Sequence, residues 1–274
     1  MNVRFDGCSA TSRSANHHEL LALLQREGDT IQAGRGYHSY AEKVSVIANT
    51  GVEVGSVLWG GRNAETPFIE VKGERSPEVV DKLRATVDHV PTRLDSCFDV
   101  NRPGAWDGLL STVMAVKAQH KLYGERRGDW DQPEKGRTQY LGAATSPIRA
   151  RLYEKGKQPE YRHLGYWDHC RLELQVRPKK EARAVYATLS PLEVWGASKW
   201  TRQLAAELLG EMLDPHPPGT IRRDTTRDSA LRWMCGQYGH HLMSLKEELG
   251  DWKCVGLQLA DMIREEQRRK KRGG

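Results

Sequence analysis

The sequence contains no long apolar run, since no segment approaches the roughly 18 consecutive apolar residues that cross a membrane. Its first residues also lack the apolar core of a secretory signal peptide. Both absences argue against a membrane or secreted protein, and we expect a cytoplasmic one. The five cysteines, an odd number without a Cys-x-x-Cys pair, argue against a disulfide framework and favour a reducing compartment.

Several nucleotide-binding and metal-binding motifs are also missing. There is no Gly-x4-Gly-Lys-Ser/Thr phosphate loop, and Gly60-Gly61 is too short to cradle a phosphate. No His-hydrophobic-His triplet occurs, and the adjacent pairs His17-His18 and His240-His241 point to different sides of a helix or strand. The sequence therefore predicts neither ATP-driven chemistry nor a histidine-based metal centre.

Charge, by contrast, is abundant. The 274 residues include 28% charged and 38% hydrophobic side chains, with a formal net charge of +6. A chain of this length forms one large domain, or one domain with a small appendage. The basic balance favours a polyanionic partner. The alternative on charge alone is a merely basic soluble protein.

Residue patterning predicts an α+β fold, with a mixed, mostly antiparallel sheet flanked by helices. A hydrophilic loop is expected over 124–136. The strand-like segments are 3–11, 37–48, 52–59, 67–72, 92–100, 137–155 and 170–177. Helical stripes follow the first strand and recur over 76–90, 106–122, 179–187 and 191–213.

The chain is also predicted to have a main domain over 1–213 and a proline-rich linker over 214–224. A helical C-terminal segment over 225–274 ends in the basic run from Arg268 to Arg272. Near the start, Arg4-Phe-Asp6-Gly-Cys8 is similar to Arg93-Leu-Asp95-Ser-Cys97. That similarity fits a fold made of two related α/β halves.

The stretch from 137 to 177 carries polar side chains on one side only. Residues two apart in a strand share a face, so apolar residues would line the buried face and polar ones the other. An earlier run over 92–100 repeats the arrangement. The predicted polar face carries Arg93, Asp95, Asp99, Arg149, Arg151, Tyr153, Lys155, Arg171 and Glu173.

A tyrosine, carboxylates and cations on one face are the groups needed to cut a phosphodiester. A phenol attacks phosphorus when it can lose its proton and the developing charge is neutralised. Asp95 and Glu173 could hold Mg²⁺ or Mn²⁺ as a Lewis acid. Asp99 lies four residues, about 13 Å, from Asp95 along a strand, so both would not hold one ion. The alternative is that Tyr153 is an ordinary exposed tyrosine.

These motifs, in this order and spacing, resemble a known family. Tyr140-Leu-Gly, Ser146, Arg149 and Arg151-Leu-Tyr153-Glu-Lys155, followed by Arg171-Leu-Glu173, resemble the Rep_trans type of rolling-circle replication initiation factors of plasmids and filamentous phages. The preceding Arg93-Leu94-Asp95 with Asp99 is similar to that family's acidic strand. The similarity covers roughly residues 90–177. It departs at Gln158-Pro159-Glu160, where a proline separates two residues that the family often has side by side.

The resemblance implies a site-specific DNA nickase. Tyr153 would become linked to a 5′-phosphate and release a 3′-hydroxyl that primes synthesis, and the same site would rejoin the strand. Asp95 and Glu173, with Asp99 as a further candidate, would be ligands of Mg²⁺ or Mn²⁺. Lys155 would be a catalytic cation beside the nucleophile. The candidate DNA-binding residues are Arg93, Arg149, Arg151 and Arg171.

The implied partners are origin DNA, single-stranded or hairpin at the nick, and a host helicase and polymerase, with no membrane. Two strand transfers per round are compatible with a homodimer. A conjugative relaxase would use the same chemistry on a transfer origin. A non-catalytic DNA-binding regulator would bind without a covalent adduct. A structural or RNA-binding protein would show neither hairpin preference nor a metal effect.

Overall fold

The computed structural model describes residues 2–219 and 226–272, which form two compact units, 1–220 and 221–274. The first unit is built on a ten-stranded sheet in which every pair of neighbours is antiparallel. Its strands are β1 Arg4–Ser12, β2 Thr30–Arg35, β3 Glu42–Ile47, β4 Glu53–Trp59, β5 Phe68–Lys72, β6 His89–Asn101, β7 Gly124–Gly128, β8 Arg137–Leu141, β9 Ile148–Tyr153 and β10 His169–Val176. The helices of this unit are α1 His17–Leu24, α2 Ser76–Thr86, α3 Ala105–Gln119, α4 Ala182–Tyr186 and α5 Lys199–Leu209.

The sheet consists of two halves with the same topology. The strand order is β2-β3-β4-β5-β1-β6-β10-β9-β8-β7. Each half therefore starts on a central strand, β1 or β6, and then fills its side of the sheet from the outer edge inwards. A helix follows each central strand, α1 in the first half and α3 in the second. The similar stretches that begin at Arg4 and Arg93 are the paired central strands, and the predicted α+β fold is confirmed.

Local sequence signals set several element boundaries. Asn16 begins α1, because its side chain accepts hydrogen bonds from the backbone N–H groups of His18 and Glu19. The Glu19 carboxylate in turn accepts from the Asn16 N–H at 2.7 Å. This reciprocal capping satisfies donors that a helix start leaves without partners. Gly210, in the left-handed region, ends α5.

One face of the sheet packs on helices, and we call it the helix face. On β6 it carries Leu94, Ser96 and Phe98, and the Phe98 ring lies 5.6 Å from that of Trp195. Ser96 Oγ accepts a hydrogen bond from Trp195 Nε1 at 2.9 Å. The buried cluster joins strand residues to side chains of the helices, including Leu20, Val80, Val113, Leu172 and Leu204. Alternation along each strand places the intervening side chains on the opposite face, which we call the polar face.

Several elements differ from the sequence prediction. β2 lies where no strand was predicted, and β7 lies within the expected loop over 124–136. The predicted strand over 37–48 begins at Glu42, and the predicted strand over 137–155 is divided into β8 and β9. β6 begins at His89, before Pro91, rather than after it. Pro91 is accommodated because the pairing of β1 with β6 shifts register between Ser9 and Ala10. Such a bulge tolerates a residue that has no N–H to donate.

Residues 214–219 pack against the first unit. Lys179 donates its backbone N–H to the carbonyl of Pro218 at 2.7 Å, and the Tyr186 hydroxyl donates to the carbonyl of His216. The second unit contains α6 Thr226–Leu249 and α7 Trp252–Arg272, so the chain ends in helices as predicted. Within the described residues, no helix combines the length and apolarity that crossing a membrane requires.

Candidate active site

Strand register brings the predicted polar residues together on the polar face. Tyr153 of β9 lies opposite Arg171 of β10, and Arg151 lies opposite Glu173. Glu173 also lies opposite Cys97 of β6, two positions beyond Asp95. Asp95 and Glu173 are therefore diagonal neighbours on adjacent strands, within reach of each other's charge.

The two carboxylates are buried, and each is bonded to one arginine. Asp95 accepts from Arg93 Nε at 2.9 Å, and Glu173 accepts from Arg151 Nη2 at 2.7 Å. Burial, followed by the nearby charge of Asp95, raises the pKa of Glu173 to about 7. Desolvation and a like charge both disfavour the ionised form, and here they outweigh the single arginine partner.

Gly7 makes room for the Asp95 side chain. It lies opposite Asp95 in the pairing of β1 with β6, and a Cβ built on Gly7 would lie 2.8 Å from Asp95 Oδ2. Only glycine therefore leaves this carboxylate its present position. Sequence analysis did not identify Gly7 as part of the site. A glycine inside a strand is the signal that could have found it, because it marks a close approach.

The donor set fits a divalent cation held by two carboxylates. Mg²⁺ in proteins commonly keeps several waters and takes one or two carboxylates, and a cation would relieve the repulsion that raises the pKa of Glu173. In the part of the chain that the structure describes, no group of three or more His, Cys, Asp or Glu is placed to hold a metal. Register makes Asp95 and Asp99 the two diagonal neighbours of Glu173 on β6, and the Asp99 carboxylate is bonded to Arg171 and Arg4.

Tyr153 lies at the end of β9 and is largely buried, with 6% of its surface exposed. Burial and the charge of Glu173 raise its pKa above the ordinary range, although Arg171 and Arg151 act in the opposite direction. The Arg151 guanidinium carbon lies 5.0 Å from the ring centroid. Among the described residues, the Tyr153 hydroxyl has no hydrogen-bond partner. The phenol is therefore protonated at neutral pH.

Lys155 is placed differently from the sequence prediction. The strand ends at Tyr153, so Lys155 lies in a single turn, Lys155–Lys157, instead of on the strand face. It is buried, with Nζ 4.4 Å from the Tyr161 ring centroid. Burial and the charge of Arg171 lower its pKa.

Arg171 is buried and bonded to carboxylates on two strands. It donates to Asp6 at 2.6 Å and to both oxygens of Asp99 at 2.6 and 2.8 Å. Asp99 also accepts from Arg4 at 3.0 Å. This placement favours a structural role for Arg171 and Asp99 over the predicted contacts with DNA and metal. Sequence analysis missed Arg4 and Asp6, because they belong to β1 and meet β10 only in the folded sheet.

We expect Arg171→Met to destabilise the protein by about 3 kcal/mol, because it leaves Asp6 and Asp99 without their shared partner. Urea unfolding at pH 7 measures the change. Arg127→Met is the matched control, since its side chain is 60% exposed and its partner Glu125 is itself 30% exposed. Equal losses in the two variants would contradict the structural role of Arg171.

A small cavity of about 90 Å³ adjoins Glu173 on the polar face. It is lined by Arg93, Tyr140, Arg149, Ala150, Arg151, Glu173 and Gln175. The Arg149 guanidinium carbon lies 3.9 Å from the Tyr140 ring centroid. The Nε atoms of Arg149 and Arg151 are buried without a hydrogen-bond partner among the described residues. Three arginines line this cavity, and guanidinium groups suit an oxyanion such as a phosphate.

Comparisons with known proteins give a limited result. No protein-family model and no curated protein matches the chain. Among solved structures, it is similar to a rolling-circle replication initiator protein from Geobacillus stearothermophilus, with 18% sequence identity and a TM-score of 0.49. The match covers 71% of this chain and 83% of that one. A likeness at this level carries no argument about activity.

Proposed function

We propose that the chain is a replication initiator of the rolling-circle type, which nicks and rejoins one DNA strand through Tyr153. The observation that carries this proposal is the register of β9, β10 and β6. That register sets Tyr153 beside Arg151 and Glu173 on one face, with Asp95 diagonal to Glu173. A nucleophile, cations and a pair of buried carboxylates are the groups that a metal-assisted phosphodiester transfer requires.

In the proposed reaction, the Tyr153 oxygen attacks phosphorus and the bond to the 3′-oxygen breaks. The phenol loses its proton, the departing 3′-oxygen gains one, and the 5′-phosphate stays on the tyrosine. A divalent cation would supply Lewis-acid polarisation of the phosphate when bound by Asp95 and Glu173. Because one ester replaces another, attack by a 3′-hydroxyl returns the strand intact.

The chain's own residues have distinct parts in this proposal. Arg149 and Arg151, whose Nε atoms have no partner among the described residues, bind phosphate oxygens at the cavity that adjoins Glu173. Arg93 holds Asp95 and also lines that cavity. Lys155, buried beyond the end of β9, contributes positive charge next to Tyr153 and is a positioning residue.

Covalent trapping tests the proposal. Purified protein is incubated with single-stranded and hairpin oligonucleotides tiled across the DNA that flanks its gene, with Mg²⁺ or Mn²⁺ or with a chelator. We expect a band on denaturing gels that combines protein and DNA and that the chelator abolishes. Digestion and mass spectrometry should then locate the nucleotide on Tyr153.

Two outcomes would count against the proposal. No adduct with any oligonucleotide, together with retained DNA binding, would favour a non-catalytic regulator. An adduct mapped to Tyr140, which lines the arginine-rich cavity, would keep the reaction type but move the nucleophile. Boiled protein is the control for non-specific adducts.

A further inference from the structure

A second and larger cavity, of about 760 Å³, opens on the polar face in the half of the sheet that lacks Tyr153. Its walls are contributed by β1, β5 and β6, by the loops that join β2 to β3 and β4 to β5, and by residues 177–183, which follow β10 and enter α4. One wall is aromatic and the other is basic. The aromatic wall consists of Tyr37, Tyr40 and Phe68, and the basic wall consists of Arg93, Arg177, Lys179 and Arg183.

The aromatic wall is held in place by hydrogen bonds at the tips of its rings. The Tyr37 hydroxyl donates to Glu70 at 3.1 Å, and 37% of the residue stays exposed. The Tyr40 hydroxyl donates to the carbonyl of Thr66 at 2.8 Å, and its ring lies 6.0 Å from that of Phe68. Fixed rings with an accessible surface are suited to stacking with flat ligands.

The loop that carries Tyr37 and Tyr40 contains two residues in an unfavourable backbone conformation. His38 and Ser39 have φ angles of 54° and 70°, which are unfavourable for residues with side chains. Asn63 donates to the His38 carbonyl at 3.1 Å, which ties this loop to the next one. Gly61 permits the contact, since a Cβ there would lie 2.5 Å from the Ser39 carbonyl oxygen. The two loops together hold a fixed aromatic surface.

Arg93 of the basic wall is paired with Asp95. Among the described residues, the other three cations of this wall, Arg177, Lys179 and Arg183, form no ion pair with a carboxylate. The guanidinium groups of Arg177 and Arg183 donate only to the carbonyls of Ala144 and Pro178. Burial and the neighbouring Arg183 and Arg177 lower the pKa of Lys179, as expected where like charges crowd together. An anion in this cavity would relieve that crowding.

Aromatic rings facing a row of cations match a single nucleic-acid strand, whose bases stack and whose phosphates bind cations. A duplex would not offer unstacked bases to these rings. Arg93 lines this cavity and also the small one beside Glu173, so the two are neighbours on the sheet. From β10 to β5 there are three strand spacings, about 14 Å across the sheet, and the register offsets Glu70 from Glu173 by four residues, about 13 Å along the strands.

We propose that this cavity binds an unpaired stretch of the DNA strand next to the cleavage position, with its bases on Tyr37 and its phosphates on Lys179 and Arg183. The identity of the ligand rests on the proposed function. The half of the sheet without the nucleophile thereby supplies the stacking surface, and the segment that follows β10 supplies the cations that hold the strand during cleavage and rejoining.

Fluorescence anisotropy with a labelled oligothymidine of about ten nucleotides tests the proposal. The full chain is used with a chelator present, so no cleavage contributes. We expect Tyr37→Ala to weaken binding between about fivefold and a hundredfold, the range that removal of one base-stacking ring gives. Tyr123→Ala, which removes an exposed tyrosine outside the cavity, should bind like the wild type. Wild-type affinity of Tyr37→Ala would overturn the proposal, whether or not an adduct forms with origin DNA.

Salt titration of the same complex tests the basic wall. The double variant Lys179→Ala, Arg183→Ala should lower the slope of log Kd against log salt by about 1.4, or 0.7 for each phosphate that the protein no longer neutralises. Lys82→Ala, on α2 and paired with Glu78, should leave the slope unchanged. An unchanged slope in the double variant would contradict phosphate binding at this wall.

Photo-crosslinking gives a second measurement that does not depend on a variant folding. An oligonucleotide that carries 5-bromodeoxyuridine is irradiated in complex with the wild type, and the crosslinked peptides are sequenced. Crosslinks to Tyr37 or Tyr40 support the proposal. Crosslinks confined to other surfaces overturn it. Neither result requires nicking. The proposed strand-binding cavity can therefore be contradicted independently of the proposed nicking activity.

Discussion

Tyr153→Phe should abolish the covalent adduct completely and leave the protein as stable as the wild type. The substitution removes one oxygen atom, which is the nucleophile of the proposed reaction. That oxygen has no hydrogen-bond partner among the described residues, so no bond within the protein is lost. A partly buried hydroxyl without a partner contributes little or nothing to stability. We therefore expect an unfolding free energy within about 0.5 kcal/mol of the wild-type value.

Tyr140→Phe is the matched control for this result. Tyr140 lies on β8 opposite Arg151, and its ring stacks with Arg149, so it shares the surroundings of Tyr153. We expect this variant to form the adduct, since the ring is kept. An adduct that persists in Tyr153→Phe and disappears in Tyr140→Phe would identify Tyr140 as the nucleophile. Both variants should bind uncleavable DNA with wild-type affinity.

Glu173→Gln should lower the nicking rate by about a hundredfold or more. It removes one of the two carboxylates that would hold the cation. Lewis-acid stabilisation of a phosphoryl transfer lowers the activation free energy by several kcal/mol. Each 1.4 kcal/mol of that lowering corresponds to about a tenfold increase in rate. Single-turnover nicking at saturating Mg²⁺ and Mn²⁺ measures the loss. A rate within threefold of the wild type would exclude Glu173 as a metal ligand.

The same substitution should stabilise the folded protein at alkaline pH. Between the unfolded pKa of about 4.5 and the folded pKa of about 7, the native state of the wild type binds a proton that the unfolded state has lost. Stability due to Glu173 therefore falls as pH rises through this window. At pH 8 the ionised Glu173 lowers the free energy of unfolding by up to about 3 kcal/mol, and a neutral glutamine removes this cost.

Thermal melts at pH 5 and pH 8 separate these effects. We expect Glu173→Gln to melt above the wild type at pH 8 and near it at pH 5. Added Mn²⁺ should raise the melting temperature of the wild type at pH 8 and leave that of the variant unchanged, because binding to the native state stabilises it. Glu125→Gln, a carboxylate on β7 that pairs with Arg149, is the control and should follow the wild type. A Glu173→Gln variant that is less stable than the wild type at pH 8 would contradict the raised pKa of Glu173 in the folded state.

Strand alternation was enough to predict which polar residues share a face. Arg151, Glu173 and Asp95 are separated by up to 78 positions, yet the two-residue period alone placed them on one side of a sheet. Each of their strands buries one side against the helices, so mostly apolar residues alternate with polar ones along its sequence. The period does not fix where a strand ends. Lys155 leaves the face because the chain turns at Gly156, where a Cβ would overlap the Tyr166 carbonyl.

The missed elements carry no such pattern. β2, with the sequence Thr-Ile-Gln-Ala-Gly-Arg, is exposed along its whole length, and β7 is mostly glycine and charge. Both lie at the edges of the sheet. Their extended conformation is set by pairing with one neighbouring strand and not by the propensity of their own side chains. The bonds of Arg171 were missed for a related reason, since Asp6 is 165 positions away and only strand order brings it close.

The repeated topology has an evolutionary consequence. The halves join through antiparallel pairing of their first strands, β1 and β6, and this is the contact that a two-fold axis would generate between two copies of one half. We infer that a gene for a half-length ancestor, working as a symmetric dimer with two identical sheets joined edge to edge, was duplicated in tandem. In the fused chain the two halves would always be paired, so one half could lose its active-site residues while the sheet is kept. A designed chain of residues 1–88 that failed to pair through β1 would count against this ancestry.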